Sequence, residues 1–143
     1  MEIKRSTLVM HPAMDMFRLV QDVPAYPDFL TWCLRSEVHE QSAEHQLASL
    51  VIRVSGMTQT FTTRNRFVPG ERLTLSLVDG PFQHLSGEWL FEQLGAEGSK
   101  VSLLLSFDFS SRVLSSAFRR GFTHVADRLV GEFSNRADDV YGI

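Results

Sequence analysis

Histidine, cysteine and paired acids are where chemistry would be sought, and in this chain their spacing matches no catalytic pattern. The five histidines are His11, His39, His45, His84 and His124. His39-Glu40 is followed by His45, two residues too late for the zinc pattern that needs both imidazoles on one helix face. That segment also reads as strand and turn, so no metal site is expected. Cys33 is the one cysteine. With no partner in the chain it forms no internal disulfide, which fits a reducing compartment. It reads as a core or surface thiol rather than a nucleophile. No Gly-x-Ser-x-Gly elbow and no glycine-rich phosphate loop occurs. No catalytic residue and no cofactor is assigned. Tyr26, Asn65 and His124 are the only groups that could serve as acid or base in a cavity.

Four other features carry information. In the stretch 58–68, Phe61, Thr63, Asn65 and Phe67 alternate and share a face. If the two phenylalanines point inward, Thr63 and Asn65 do too. Buried polar groups need partners, so they hold a ligand carbonyl or a water, or they bond each other or the backbone. Arg64 and Arg66 then point outward. Asp79-Gly80-Pro81-Phe82 is turn chemistry, with Phe82 either packed or gating a cavity mouth. Gly121 falls inside a helical pattern at a cost of about 1 kcal/mol relative to alanine. Ligand room or a close approach of strand backbone would offset that. Arg112, Arg119, Arg120, Arg128 and Arg136 lie on the same helix, where several could meet phosphate or stay solvated.

These residues have to be positioned by elements that the hydrophobic pattern supplies. Residues 2–10 alternate as a strand. His11-Pro12 opens a short helix carrying Ala13, Phe17 and Val20, which ends near Asp22. Pro24 and Pro27 break the next stretch into a second short helix or turn that presses Tyr26, Phe29, Leu30 and Trp32 inward. Strands follow at 34–41, 46–55, 58–68, 71–78, 84–93 and 100–109. Val101, Leu103, Leu105, Phe107 and Phe109 show the alternation most clearly. Each strand has one apolar and one polar face, the antiparallel signature. The period then changes to 3.6 at Leu114, Phe118, Phe122, Val125, Leu129 and Phe133, giving one amphipathic helix of about 25 residues. Its single apolar stripe needs the apolar face of the sheet. The expected fold is α+β: a curved antiparallel sheet of about seven strands around a long C-terminal helix, with two short helices after the first strand, all in one domain, 1–143.

Tyr26-Pro-Asp-Phe29, Phe61-Thr-Thr-Arg-Asn65, Val78-Asp-Gly-Pro-Phe82 and Trp89-x-Phe91 together resemble the START-like family. The branch they are most similar to holds the coenzyme Q-binding and ribosome-association toxin (RatA) proteins. The resemblance covers essentially the whole chain. It implies a helix-grip (START-like, Bet v 1-like) fold with a cavity between sheet and long helix. It also implies two functions: binding ubiquinone to support respiration, or binding the large ribosomal subunit and blocking subunit joining. A third, the polyketide cyclases, places acid–base groups in the cavity.

The chain has 143 residues, a net charge of −3 and 11 phenylalanines. An acidic, Phe-rich chain favours an apolar ligand over nucleic acid. The main expectation is therefore non-enzymatic binding of ubiquinone or a similar isoprenoid lipid. The expected lining is Tyr26, Phe29, Trp32, Phe61, Thr63, Asn65, Leu75, Phe82, Trp89, Phe118 and Phe122. The alternative is docking on the large ribosomal subunit through Arg64, Arg66, Arg119, Arg120 and Arg128, with a small antitoxin protein as a second partner. No apolar run is long enough to cross a bilayer. No signal peptide is read at the N-terminus. The expected location is the cytoplasm, with peripheral attachment at the inner membrane as the other option.

Overall fold

A computed structural model describes residues 1–110 and 115–142. The strands are β1 (Glu2–Val9), β2 (Cys33–Gln41), β3 (His45–Val54), β4 (Met57–Val68), β5 (Arg72–Asp79), β6 (Phe82–Leu94) and β7 (Gly98–Phe109). The helices are α1 (Ala13–Gln21), α2 (Tyr26–Phe29) and α3 (Ser116–Tyr141), with a 3-10 turn at Val23–Ala25. The expected order and fold class hold, with boundaries within a few residues. Leu114, expected to open the last helix, and Arg112 lie outside the described residues.

The seven strands form one sheet in the order β1-β7-β6-β5-β4-β3-β2, every neighbouring pair antiparallel. Helix α3 touches β1 and β7 near one edge and β3 near the other. One helix can reach both sides only if the sheet curls around it. The pairing register shifts at Cys33/Arg35, Val38/Glu40, Thr62/Thr63 and Phe82/His84, and breaks of this kind, bulges above all, bend a strand and sharpen its twist.

The inner face holds Ile52, Phe61, Leu73, Leu85, Trp89, Leu103 and Phe107, all buried. Onto it α3 presses Phe118, Phe122, Ala126, Val130, Phe133 and Ala137. Each buried phenylalanine contributes about 1.5–3 kcal/mol. The Ser115 side chain starts α3 by accepting a hydrogen bond from the Phe118 N–H at 3.1 Å. The far end of α3 is tied down by buried His11, whose Nε2 lies 2.8 Å from Asp138 Oδ1.

Gly121 has a direct explanation. A Cβ there would sit 2.5 Å from Val54 Cγ1 and 2.5 Å from Ser55 Oγ. The β3–β4 turn leans on the helix at that point, and the Ser55 hydroxyl donates to the Ala117 carbonyl at 2.9 Å. The close approach expected at Gly121 is therefore made by hairpin side chains rather than by strand backbone. Gly80 is similarly constrained, because a Cβ there would lie 2.5 Å from Phe61 Cβ.

Candidate functional site

A cavity of about 100 Å³ lies between the concave face of the sheet and α3. The sheet supplies Ala48, Leu50, Phe61, Thr63, Asn65, Leu73, Leu75, Leu85, Trp89 and Leu105. Helix α3 supplies Phe122, Val125, Ala126, Leu129 and Phe133. Val20, Val23, Tyr26, Leu30 and Trp32 close the remaining side. Tyr26, Trp32, Leu50, Leu75, Val125 and Leu129 are only half-buried and mark the rim. The rim includes the approach of the α2–β2 connection to α3, where Trp32 Nε1 reaches Glu132.

Eight of the eleven expected lining residues are in the wall: Tyr26, Trp32, Phe61, Thr63, Asn65, Leu75, Trp89 and Phe122. Three are not. Phe29 packs against Tyr26 and Phe133, at 6.2 and 5.3 Å between ring centroids, under the Arg136 guanidinium at 4.9 Å. Phe82 is fully engaged by Phe61, Phe109 and Phe122 at 5.7, 5.7 and 4.9 Å, so it seals one end of the core instead of gating a mouth. Phe118 packs on Phe109 and Phe122. The aromatics of the proline-broken segment also turn less inward than expected. Tyr26, Phe29 and Trp32 are half-buried, and Leu30 is the residue of that segment fully inside.

The cavity has one polar corner. Thr63 and Asn65 are inside, at 8% and 5% exposure. The Thr63 hydroxyl donates to Asn65 Oδ1 at 2.9 Å, and Asn65 Nδ2 donates to Gln46 Oε1 at 2.9 Å. Gln46, completely buried, donates onward to the Gln21 carbonyl at 3.1 Å and to Gln41 Oε1 at 3.0 Å. Of the two readings open at the sequence level, mutual bonding is what the geometry displays. Gln46 was not foreseen. The inward alternation of β3 contained it, but only the β3–β4 register sets Gln46 opposite Asn65. Both residues line the cavity, and beyond these bonds an amide keeps a second N–H and a hydroxyl keeps lone pairs, so the corner has hydrogen-bonding capacity left.

The titratable groups near the cavity are poorly suited to catalysis. The Tyr26 hydroxyl donates to the Val20 carbonyl, and burial drives its proton affinity well above the ordinary phenol value. Cys33 is buried, which pushes its thiol up to about 11. At the rim, Glu132 accepts a long hydrogen bond from Trp32 Nε1 at 3.4 Å. Burial raises the pKa of Glu132, opposed by that bond and by Arg128. His124 is exposed on α3, away from the cavity wall. Among the described residues no group of three or more His, Cys, Asp or Glu side chains could hold a metal ion.

The five expected surface arginines do not form one patch. Arg64 and Arg66 alternate outward on β4, on the convex face of the sheet. Arg119, Arg120 and Arg128 are on α3, which covers the concave face. Arg119 turns over the Phe109 ring at 5.7 Å, while Arg120 and Arg128 share the outer face of the helix.

The family model described as polyketide cyclase/dehydrase and lipid transport matches residues 9–134. The chain belongs to that family. The START-like resemblance seen in the motifs therefore holds. The chain is 44% identical over 141 residues to a ribosome association toxin, RatA, of Vibrio cholerae, covering 99% of this chain and 98% of that protein. It is 28% identical over 134 residues to the mitochondrial coenzyme Q-binding protein COQ10 of Drosophila melanogaster, covering 90% of this chain and 55% of that protein. The fold matches the crystal structure of the ZhuI aromatase/cyclase from Streptomyces sp. R1128, with a TM-score of 0.85 at 20% identity, covering 96% of this chain and 93% of that one. The helix-grip architecture is thus shown. No described helix is long and apolar enough to cross a membrane.

Proposed function

We propose that this protein associates with the ribosome, docking on the large subunit through its outer surface so that the small subunit is kept from joining. The near-full-length likeness to the Vibrio cholerae ribosome association toxin carries this reading. The interior supports it by its size. Pockets that hold drug-sized ligands run to about 300–1,000 Å³, and this cavity is about 100 Å³. A polyprenyl quinone does not fit that volume unless the rim opens. The protein acts as a binder rather than a catalyst, since Tyr26, Asn65 and His124 are respectively bonded, bonded and remote from the cavity. A small antitoxin protein that covers the same surface belongs to this reading.

The test is sedimentation of the purified protein with ribosomes through sucrose gradients. The expected result is migration with the large subunit, lost as salt rises. Protein that stays at the top of the gradient at about 50 mM salt rejects the reading.

One observation favours a second reading, carriage of ubiquinone or a similar isoprenoid lipid. The Thr63–Asn65 corner sits in an otherwise apolar cavity, a layout suited to orienting a carbonyl headgroup. Mass spectrometry of an organic extract of the natively expressed protein decides it. Stoichiometric quinone supports carriage, and a blank extract removes it.

A further inference from the structure

We propose that the outer stripe on the first half of α3, made of Arg120, His124 and Arg128, is the surface that meets RNA, docking against the phosphate backbone of ribosomal RNA. The proposal rests on the ribosome reading and assigns it a face. Spacing of four residues stacks the three side chains on successive turns, with a rise of about 6 Å between neighbours. All three are exposed. The buried residues Phe118, Phe122, Ala126 and Val130 mark the opposite side of the helix. Arg128 Nη1 lies 3.3 Å from His124 Nε2, so two of the groups already converge on one spot.

The charge layout of α3 works against the helix itself. A helix is stabilised by acids in its first turn and bases in its last, because its N-terminus carries partial positive charge. This helix has no acid in its first turn and no base in its last. Instead Arg119 and Arg120 stand near the positive end, and Asp138 and Asp139 near the negative end. Such an order does nothing for the helix and concentrates positive potential at one end. The acids beside the stripe are Asp127, whose carboxylate pairs with Arg5 of β1, and Glu132, one turn beyond Arg128 and acted on by it. Screening confines this potential to within a Debye length of about 8 Å, so a net charge of −3 does not cancel it locally. Guanidinium forks suit phosphate oxygens, and RNA presents these at every residue.

The other candidate arginines are placed differently. On the convex face Arg64 lies across Leu47 from Glu40, and Arg66 lies across Thr74 from Glu88. Each has an acid two strands away on the same face, about 9–10 Å off and so largely screened, which makes this pair the rival surface that the test has to separate from the stripe. Arg119 is turned toward Phe109, off the stripe.

The experiment compares the native protein with two double variants, Arg120→Gln/Arg128→Gln and Arg64→Gln/Arg66→Gln. Binding to ribosomes is measured by sedimentation across a salt series, and binding to ribosomal RNA stripped of protein by filter retention. Losing two phosphate contacts lowers the slope of log K against log salt by about 1.4–1.8, which is on the order of 50-fold at 0.1 M salt. That loss is expected for the α3 variant on both substrates, with the β4 variant unchanged. Both α3 positions are exposed, so its melting temperature should stay close to that of the native protein. If the native protein binds ribosomes and the α3 variant binds equally well, the stripe is wrong and the ribosome reading stands. Loss of binding in the β4 variant alone moves the surface to the sheet and overturns the proposal. If the α3 variant fails on ribosomes while native protein ignores stripped RNA, the contact is with a ribosomal protein. Native protein that does not sediment with ribosomes ends both.

Discussion

Gly121→Ala should destabilise the protein, although helix propensity predicts the reverse. Alanine gains about 1 kcal/mol over glycine in a helix interior. Against this, the added methyl would lie 2.5 Å from both Val54 Cγ1 and Ser55 Oγ. That is more than about 1 Å inside ordinary carbon contact. Neither neighbour yields easily. Val54 is buried, and its β-branched side chain has restricted rotamers. Ser55 is held by its bond to the Ala117 carbonyl and by a left-handed backbone at φ 52°. Overpacking of this kind costs about 1–3 kcal/mol. The net expectation is a loss of about 1 kcal/mol, or about 3 °C in Tm for a domain of this size. Thermal unfolding followed by circular dichroism measures it. Adding Val54→Ala removes one clashing methyl, so the double-mutant cycle should show favourable coupling of about 1 kcal/mol. A rise of about 3 °C for Gly121→Ala, with Val54→Ala purely additive, would refute the packing of the β3–β4 hairpin on α3.

Other consequences follow from the site. Thr63→Val leaves Asn65 Oδ1 buried without its donor and should cost about 1–3 kcal/mol, read from urea midpoints; an unchanged midpoint would mean that water or a ligand already supplies that bond. Glu132 has a raised folded pKa because it is partly buried. Its folded form therefore holds a proton that the unfolded chain releases, and its contribution to stability falls as pH rises from the ordinary glutamate value through the raised one. Glu132→Gln should accordingly melt higher than native protein at pH 7, keep an oxygen for Trp32, and lose that advantage at about pH 4; equal Tm values at both pH values would contradict it. Cys33, buried with its thiol pushed up to about 11, should have about one part in a thousand as thiolate at pH 8. It should resist a disulfide reagent until urea unfolds the chain, and rapid native labelling would place it at the surface.

The sequence by itself determined the order of elements. Alternation in Val101-x-Leu103-x-Leu105-x-Phe107 and the helical recurrence of Phe118, Phe122 and Phe133 are local, and each buries as its period requires. The inward pointing of Thr63 and Asn65 was legible for the same reason, because strand geometry alone sends alternate residues to one face. Tertiary structure decided which polar groups meet and which apolar ones leave a gap. Gln46 joins Asn65 through strand register, and His11 joins Asp138 across 127 residues of chain, separations that no local pattern encodes. Phe29, Phe82 and Phe118 looked like cavity lining, yet they pack on one another's neighbours, and much of the wall falls to Leu30, Leu73, Leu85, Leu105 and Leu129. A cavity is the space left after rings find partners at 5–6 Å, so it depends on all the packing together. The arginines divide in the same way. Composition counted them, but only the wrapping of the sheet around α3 put Arg64 and Arg66 on one side of the molecule and Arg120 and Arg128 on the other.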